Sequence, residues 1–363
     1  MHMADALLSP AVGGTMWAVS ATTIAYCSKK LRTGMDDHKI PLMGVLGAFI
    51  FTAQMINFTI PVTGSSGHLG GGLILAILLG PCAAFLTIAS VLVVQAFFFA
   101  DGGLLALGCN IFNLGFLPAF IAFPLVYKKI VGSEQSPTRI PVASISAAII
   151  ALQIGSFAVV VETVSSGISS LPFSAFTLIM QPIHLAIGAV EGVVTAAVIS
   201  FLQRAKPEIM SNATPLPSHN TPAMRPTIVG FLAVTLLMGG VVSRLASDLP
   251  DGLEWSISKV NGQEEPHAPQ PAIHGSLASL QQKLSVLPDY SFRKPSGAKP
   301  AEGTAIPSTN ETRPKEPEQG DNKLGTSVSG IAGGGLTLGL LFIFGSMLKQ
   351  HKRKISRDAG TNG

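Results

Sequence analysis

Apolar segments of helical length recur along most of the chain, separated by short polar or Gly- and Pro-rich breaks. The apolar stretch 69–100 is too long for one membrane crossing of about 20 residues, and Gly80-Pro81 interrupts it near its middle. We therefore predict two short helices there and an all-α integral membrane protein with nine helices in total. The other seven are predicted at residues 11–31, 41–60, 104–127, 141–161, 174–202, 226–244 and 328–348.

Charged residues are scarce, at 12% of the 363 residues, against roughly 25% in an ordinary soluble domain. None of the 24 Lys and Arg or 20 Asp and Glu lies in residues 40–100, which excludes a single soluble globule and implies a lipid bilayer as surroundings. Aromatic residues make up only 7%, and the basic residues lie at the ends of apolar segments, so the sequence does not favour nucleic-acid binding.

The distribution of Lys and Arg predicts the orientation of the chain. Basic clusters follow the first, fifth, seventh and ninth predicted helices, and they share one side only if the N-terminus lies outside. The prediction is a multi-pass protein of the cell membrane, with a cytoplasmic C-terminus and with Met1, loop 61–68, Asp101-Gly102 and region 245–327 outside. No Lys or Arg precedes Lys29, so a cleaved signal peptide is not expected.

Composition divides the chain into four predicted regions. Residues 1–204 form a seven-span module, 205–225 an inside linker, 226–348 a companion hairpin and 349–363 a basic inside tail. The hairpin consists of helices 226–244 and 328–348 and an outer loop, 245–327, rich in Pro, Ser and charged residues and therefore predicted to be largely disordered. Two compact patches with aromatic residues, 250–255 and 287–292, are exceptions.

The first two residues offer an unusual set of metal ligands. The α-amine of Met1, the backbone nitrogen of His2 and an imidazole nitrogen of His2 can close two fused chelate rings in one plane. Nickel(II) and copper(II) suit such square-planar nitrogen ligands better than zinc, calcium or magnesium do. His68, in a Gly-rich loop on the same predicted side, is the best candidate for the fourth corner. The remaining histidines are predicted in inside loops (His38, His351), an inside linker (His219) and the seventh span (His184). His267 and His274 lie in the predicted outer region, where a role as capture ligands is the alternative.

Several motifs together resemble a known family of membrane proteins. They are Met1-His2-Met3-Ala4-Asp5, Asn57-Phe58, Gly64-Ser-Ser-Gly-His68-Leu-Gly-Gly71, Asp101-Gly102-Gly103, Asn110, Asn113 and His184-Leu-Ala-Ile-Gly188 with Glu191-Gly192. Residues 1–204 resemble the substrate-binding membrane subunits of nickel and cobalt transporters of the energy-coupling-factor class. The patches 250–255 and 287–292 look like the small companion subunit, so the resemblance is to the fused nickel form.

The resemblance implies a site, a cargo and partners. Nickel(II), or else cobalt(II), would be held by Met1, His2 and His68, with Asn57 and Ser66 bracing this centre. A coupling membrane subunit and two ATPases would supply energy, since the chain has no GxxxxGK[ST] phosphate loop, and we predict no enzyme activity. Met3 and Thr59 depart from the usual aliphatic residue and proline. Neither position is a ligand, although Met3 could offer a thioether near the metal.

Three polar residues fall within apolar segments and are functional candidates by default. Glu162 is predicted at a water-accessible boundary. His184 and Glu191 lie two turns apart on one helix face, which suits either an internal hydrogen-bonded network or a self-sufficient proton-coupled permease. The small-residue ridges 21–25 and 188–192 are predicted to pack within the chain or against a partner. The cysteines are predicted to be packing residues (Cys27, Cys82, Cys109).

Overall fold

The computed structural model describes residues 2–34, 39–132, 136–205, 224–262, 272–292 and 319–360. This part of the chain is almost wholly helical. Its helices and strands are α1 Pro10–Gly34, α2 Lys39–Gln54, β1 Phe58–Ile60, β2 Ser65–Gly67, α3 Gly72–Leu79, α4 Pro81–Phe98, α5 Leu107–Val131, α6 Arg139–Ser166, α7 Phe173–Ala205, α8 Met224–Gly240, α9 Gly252–Asn261, α10 Ala272–Leu284 and α11 Gln319–Gly360. Single 3-10 turns occur at Asp5–Leu7, Val242–Leu245 and Pro288–Tyr290.

The predicted break between the third and fourth helices is confirmed. Gly80 has φ 83°, a left-handed value that favours glycine, and Pro81 begins α4 at a position where no backbone N–H is needed. The eight residues of α3 extend only about 12 Å, well short of the roughly 30 Å hydrocarbon core. Among the described residues, five helices are long and apolar enough to cross a membrane, whereas we predicted nine spans.

The predicted helix 41–60 is too long, because α2 ends at Gln54 and the following residues form a strand. β1 pairs antiparallel with β2, with Thr59 opposite Ser66, so the chain is not wholly α-helical. The hydrogen bonds between the two strands satisfy backbone N–H and C=O groups of this loop. Leaving such groups buried and unpaired would cost free energy. It also fixes the segment that leads directly into His68.

Helices α6 and α7 approach closely through glycines. A Cβ atom on Gly188 would lie 2.9 Å from Ile149 Cα, and one on Gly192 would lie 2.6 Å from Ile145 Cα. The ridge 188–192 therefore packs within the chain, as small residues allow in membrane helices. The other ridge differs, because Ala21 and Ala25 on α1 are exposed.

Helices α8 and α11 contact each other and pack against α2. A Cβ atom on Gly330 of α11 would lie 2.5 Å from Gly239 O of α8, and one on Gly333 would lie 2.1 Å from Phe51 Cε1 of α2. This packing brings the segments between α8 and α11 to the loops that carry His68 and Asp101.

The prediction that region 245–327 is largely disordered is wrong for its described residues. Helix α9 begins with a complete capping box, in which Asp251 accepts from the backbone N–H of Glu254 and Glu254 accepts from that of Asp251. Leu253 and Ile257 are buried, so α9 has an apolar face that covers part of the module. Helix α10 packs on α4. Residues 263–271 and 293–318, and the predicted linker residues 206–223, lie outside the described part.

Candidate metal centre

Residues beside His2 are held by a cluster of hydrogen bonds. Met1 lies outside the described residues, but Met3 N donates to Asn110 Oδ1 at 2.8 Å. The carbonyl of Met3 accepts from Gly103 N at 2.9 Å and from Asn110 Nδ2 at 3.2 Å. Both polar backbone groups of residue 3 are therefore anchored to α5 and the loop before it, which limits movement of the neighbouring His2 backbone.

Asp5 fixes the same segment a turn later. Its Oδ1 atom accepts from Ala106 N at 2.9 Å. A Cβ atom on Gly103 would lie 1.8 Å from this oxygen, so the close approach requires glycine at that position. Burial raises the pKa of Asp5 above its ordinary value, against the effect of these backbone hydrogen bonds.

The loop that carries His68 is held from the membrane side by Glu191. The Glu191 carboxylate accepts from Gly70 N at 2.8 Å and from Gly71 N at 3.0 Å. Gln54 Nε2 donates to the carbonyl of Gly70 at 2.8 Å. Three hydrogen bonds thus fix the backbone just beyond His68.

His2 and His68 lie side by side, with ring centroids 5.0 Å apart and planes tilted by 35°. Metal–nitrogen bonds of about 2 Å would put two adjacent imidazoles of a planar centre roughly 4.5 Å apart. His68 Nδ1 contacts the carbonyl of Leu69 at 3.2 Å, and since a carbonyl only accepts, Nδ1 carries the hydrogen and Nε2 keeps a lone pair. Burial lowers the pKa of His68 to about 3, so this imidazole is neutral near pH 7, as a metal ligand must be.

Both histidines line a cavity of about 450 Å³ that also contains carboxylates. They are the side chains of Asp5, Asp101, Asp251, Glu254 and Asp289. Although burial alone would raise it, contacts with His2 hold the pKa of Asp101 at about 2, so this group is ionised near neutral pH. Asp251 Oδ2 lies 4.0 Å from His68 Nε2. A cavity lined in this way attracts cations.

Ser66 and Asn57 connect the His68 loop to the segment before α9. Ser66 donates through its backbone N to Pro250 O at 2.8 Å and through Oγ to Leu249 O at 2.7 Å. The carbonyl of Asn57 accepts from Ser247 N at 2.8 Å, and Asn57 lines the cavity. Among the described residues, no hydrogen bond joins either side chain directly to His2 or His68.

Glu162 is not at a water-accessible boundary, contrary to the sequence prediction. It is 7% exposed and accepts from Asn113 Nδ2 at 2.8 Å, because α5 covers this part of α6. The same amide nitrogen lies 4.0 Å from Met3 Sδ, so the Met3 thioether packs against Asn113.

His184 and Glu191 make separate contacts rather than a shared network. His184 Nδ1 donates to Met180 O at 2.8 Å, and its Nε2 has no hydrogen-bond partner within the described ranges. A Cβ atom on Gly252 would lie 3.1 Å from His184 Cε1, so the start of α9 rests on this ring. Glu191 instead binds the backbone beyond His68.

The fold brings three further side chains to this centre, of which sequence reasoning considered only His274, as an outer capture ligand. Tyr290 donates to Asp101 Oδ2 at 2.5 Å. Gln281 Nε2 donates to Gly102 O at 2.7 Å, and His274 Nε2 donates to Leu8 O at 2.9 Å. His274 lies buried on α10, not in a disordered loop as predicted. The one sequence signal was the return of aromatic residues at 287–292, which includes Tyr290.

The side chains alone do not form a conventional metal cluster. Across the ranges that the structure describes, no group of three or more His, Cys, Asp and Glu side chains could hold a metal ion. His2 and His68 supply two imidazoles, so a four-nitrogen centre here would need backbone or terminal nitrogens.

Comparison with known proteins adds independent information. Residues 2–209 match the family described as the cobalt uptake substrate-specific transmembrane region, and residues 225–350 match the PDGLE domain. The chain is 34% identical over 218 residues to a protein of Haloquadratum walsbyi named for metal transport, covering 58% of this chain and 93% of that one. It is 30% identical over 292 residues to a probable fused nickel transport protein of Lactiplantibacillus plantarum, covering 76% and 85%. The crystal structure of a truncated transition metal transporter matches with a TM-score of 0.50 and 28% identity, over 56% of this chain and 99% of that one.

Proposed function

Because the chain belongs to the cobalt uptake substrate-specific transmembrane family, in a form fused to a PDGLE domain, we propose that it is the substrate-binding membrane subunit of an ATP-driven nickel or cobalt importer. It is a multi-pass membrane protein, with five described helices of spanning length and composition. The observation that carries the proposal is the side-by-side arrangement of His2 and His68 in a cavity lined by carboxylates.

The proposed donors are four nitrogens in one plane. The Met1 amine, the backbone nitrogen of His2 and its imidazole would form the chelate, and His68 Nε2 would complete the square. The 5.0 Å spacing of the two rings is close to the roughly 4.5 Å that adjacent corners need, which supports this set. Asn57 and Ser66 would act indirectly, by holding the His68 loop against the PDGLE segment. We favour nickel(II) because it suits planar nitrogen ligands and because a fused relative is named for nickel transport.

The energy would come from partner proteins. We propose a coupling membrane subunit and two ATPases, since the sequence has no phosphate-binding loop of the GxxxxGK[ST] type. The exposed ridge with Ala21 and Ala25 is the surface we assign to the coupling subunit, because the other small-residue ridge is already occupied within the chain. The N-terminus, His68 and the PDGLE segment would face outside in the plasma membrane, with the C-terminal tail in the cytoplasm.

A proton-coupled permease using His184 and Glu191 is the second candidate, but their contacts do not favour it. Glu191 is fully engaged by the backbone of Gly70 and Gly71, and His184 shares no described hydrogen bond with it. Transport by this chain alone, driven by a proton gradient, would support the permease and contradict the importer subunit.

The decisive experiment is nickel titration of the purified chain with its native N-terminus. One extra residue before Met1 keeps every side chain but removes the amine from the chelate, and His68→Ala removes the fourth corner. We expect both variants to lose tight binding, while His351→Ala, in the predicted inside tail, binds like the parent. Unchanged binding by both test variants would refute the proposed site.

A further inference from the structure

Two consecutive hydrogen bonds connect the PDGLE domain, residues 225–350, to His2. Tyr290 Oη donates to Asp101 Oδ2 at 2.5 Å, and His2 Nδ1 donates to Asp101 Oδ1 at 2.8 Å. The three residues come from the turn after α10, the loop between α4 and α5, and the N-terminal segment. Both oxygens of the Asp101 carboxylate are thus engaged at once.

The hydroxyl of Tyr290 is held firmly in this position. Its ring stacks on Phe99, with centroids 5.1 Å apart and planes tilted by 21°. Asp289 N donates to Phe99 O at 2.9 Å. Asp289 and Tyr290 both have left-handed backbone conformations, with φ 49° and 57°, which non-glycine residues adopt only where surrounding contacts require them.

The nitrogen that Asp101 engages is the one that the chelate needs. A ring through the His2 backbone nitrogen, Cα, Cβ, Cγ and Nδ1 closes on a metal ion with six members, and Nε2 points away from that ring. In the structure His2 Nδ1 is hydrogen-bonded to Asp101, whereas the buried Nε2 has no hydrogen-bond partner among the described residues. Metal chelation and the Asp101 hydrogen bond therefore exclude each other.

We propose that Asp101 and Tyr290 form a latch that competes with the metal ion for His2 Nδ1, an inference that rests on the chelate of the proposed function. A contact made only in the metal-free state stabilises that state and so lowers the affinity for the ion. When the ion leaves, Asp101 again accepts a hydrogen bond from Nδ1. This hydrogen bond offsets part of the free energy needed to break the metal–nitrogen bond. The PDGLE domain thereby lowers the affinity for the ion, so that the ion can still be released into the cell.

Tyr290→Phe tests the latch, because it removes the hydroxyl and keeps the ring that stacks on Phe99. Without the hydroxyl the Asp101 carboxylate is free to turn, and it then holds His2 Nδ1 less firmly in the metal-free state. We expect the nickel Kd to fall by up to about tenfold, the most that loss of the His2–Asp101 hydrogen bond can give, and nickel release to a chelator to slow. Tyr26→Phe is the matched control, since Tyr26 is 55% exposed on α1, and it should behave like the parent. Phe99→Leu, which loosens the Tyr290 ring but keeps the hydroxyl, should shift the Kd in the same direction by less.

A second readout does not depend on metal binding. Nitrogen NMR of the metal-free chain, with ¹⁵N-labelled histidine, should show the hydrogen bond between His2 Nδ1 and a carboxylate, and Tyr290→Phe should weaken that signature. An unchanged or increased Kd for Tyr290→Phe overturns the latch. If an extra residue before Met1 abolishes binding while Tyr290→Phe binds like the parent, the latch alone fails. If the extended chain binds like the parent, the proposed chelate itself fails.

Discussion

At the residue scale, the candidate centre depends on backbone anchoring as much as on ligands. Met3 is held through both its backbone N and O, and the residues after His68 are held by the Glu191 carboxylate. Binding to an ordered segment avoids much of the entropy that fixing a free chain terminus would cost. Mutations in these anchors should therefore weaken metal binding without removing a ligand.

Glu191→Gln is expected to weaken nickel binding by about tenfold. The amide has one accepting oxygen and can keep only one of the two contacts with Gly70 and Gly71. The other buried backbone N–H is left without its acceptor, which costs roughly 1–3 kcal/mol. Isothermal titration of nickel measures the change. Gln203→Glu, a change of the same size near the end of α7, should leave the Kd unaltered. Parent-like affinity of Glu191→Gln would mean that the carboxylate does not order the His68 loop.

Gly103→Ala is expected to lower nickel affinity and the melting temperature together. Its Cβ would lie 1.8 Å from Asp5 Oδ1, so the N-terminal segment must move, and overpacking of this kind costs roughly 1–3 kcal/mol. Gly14→Ala is the control, because nothing lies within 4 Å of its added Cβ. If both alanine variants behave alike, the close contact between Gly103 and Asp5 does not hold the N-terminal segment in place.

At the scale of elements, two kinds of helix contact hold the molecule together. Helices α6 and α7 touch through the glycines of the 188–192 ridge, and α8 and α11 meet α2 through their own glycines. Without a hydrophobic driving force between helices in lipid, such close packing is the main source of their association. Helix α9 differs, since its capping box and apolar face match those of helices in soluble proteins.

Gly192→Ala is expected to destabilise the α6–α7 pair. The new Cβ would lie 2.6 Å from Ile145 Cα, which the helices can relieve only by separating. We expect a loss of roughly 1–3 kcal/mol, seen as a lower melting temperature in detergent. Gly230→Ala on α8 has nothing within 4 Å and should be neutral or slightly stabilising, because alanine favours helix. Equal melting temperatures for the two variants would count against the packing described.

At the scale of the whole molecule, the cavity has contributions from distant parts of the chain. His2, the His68 loop, the Asp101 loop and the companion residues Asp251 and Tyr290 all line it. A ligand that joins such segments should stabilise the entire fold. The fused PDGLE domain therefore has a structural role, because its residues line the cavity beside both histidines.

Nickel is expected to raise the melting temperature of the chain, but only with a native N-terminus. Binding to the folded state alone adds about 2.7 kcal/mol at a free-ion concentration 100 times the Kd. Thermal unfolding with and without nickel measures the shift, and magnesium at the same concentration, which does not suit nitrogen ligands, should cause a much smaller one. An equal shift in the chain extended by one residue would place the stabilising ion elsewhere.

The sequence by itself determined the helical membrane character, the break at Gly80-Pro81 and the family, because these depend on local apolar length, glycine and proline conformation, and contiguous motifs. The tertiary structure decided where α2 ends, before the short pair of strands, and how the segment after α8 folds. It also decided the burial of Glu162 and the separate contacts of His184 and Glu191. It alone brought Asp101 and Tyr290 to His2, across separations of 99 and 288 positions in the chain. Such contacts depend on which helix faces meet, and local patterns of hydrophobic and polar residues do not encode that pairing.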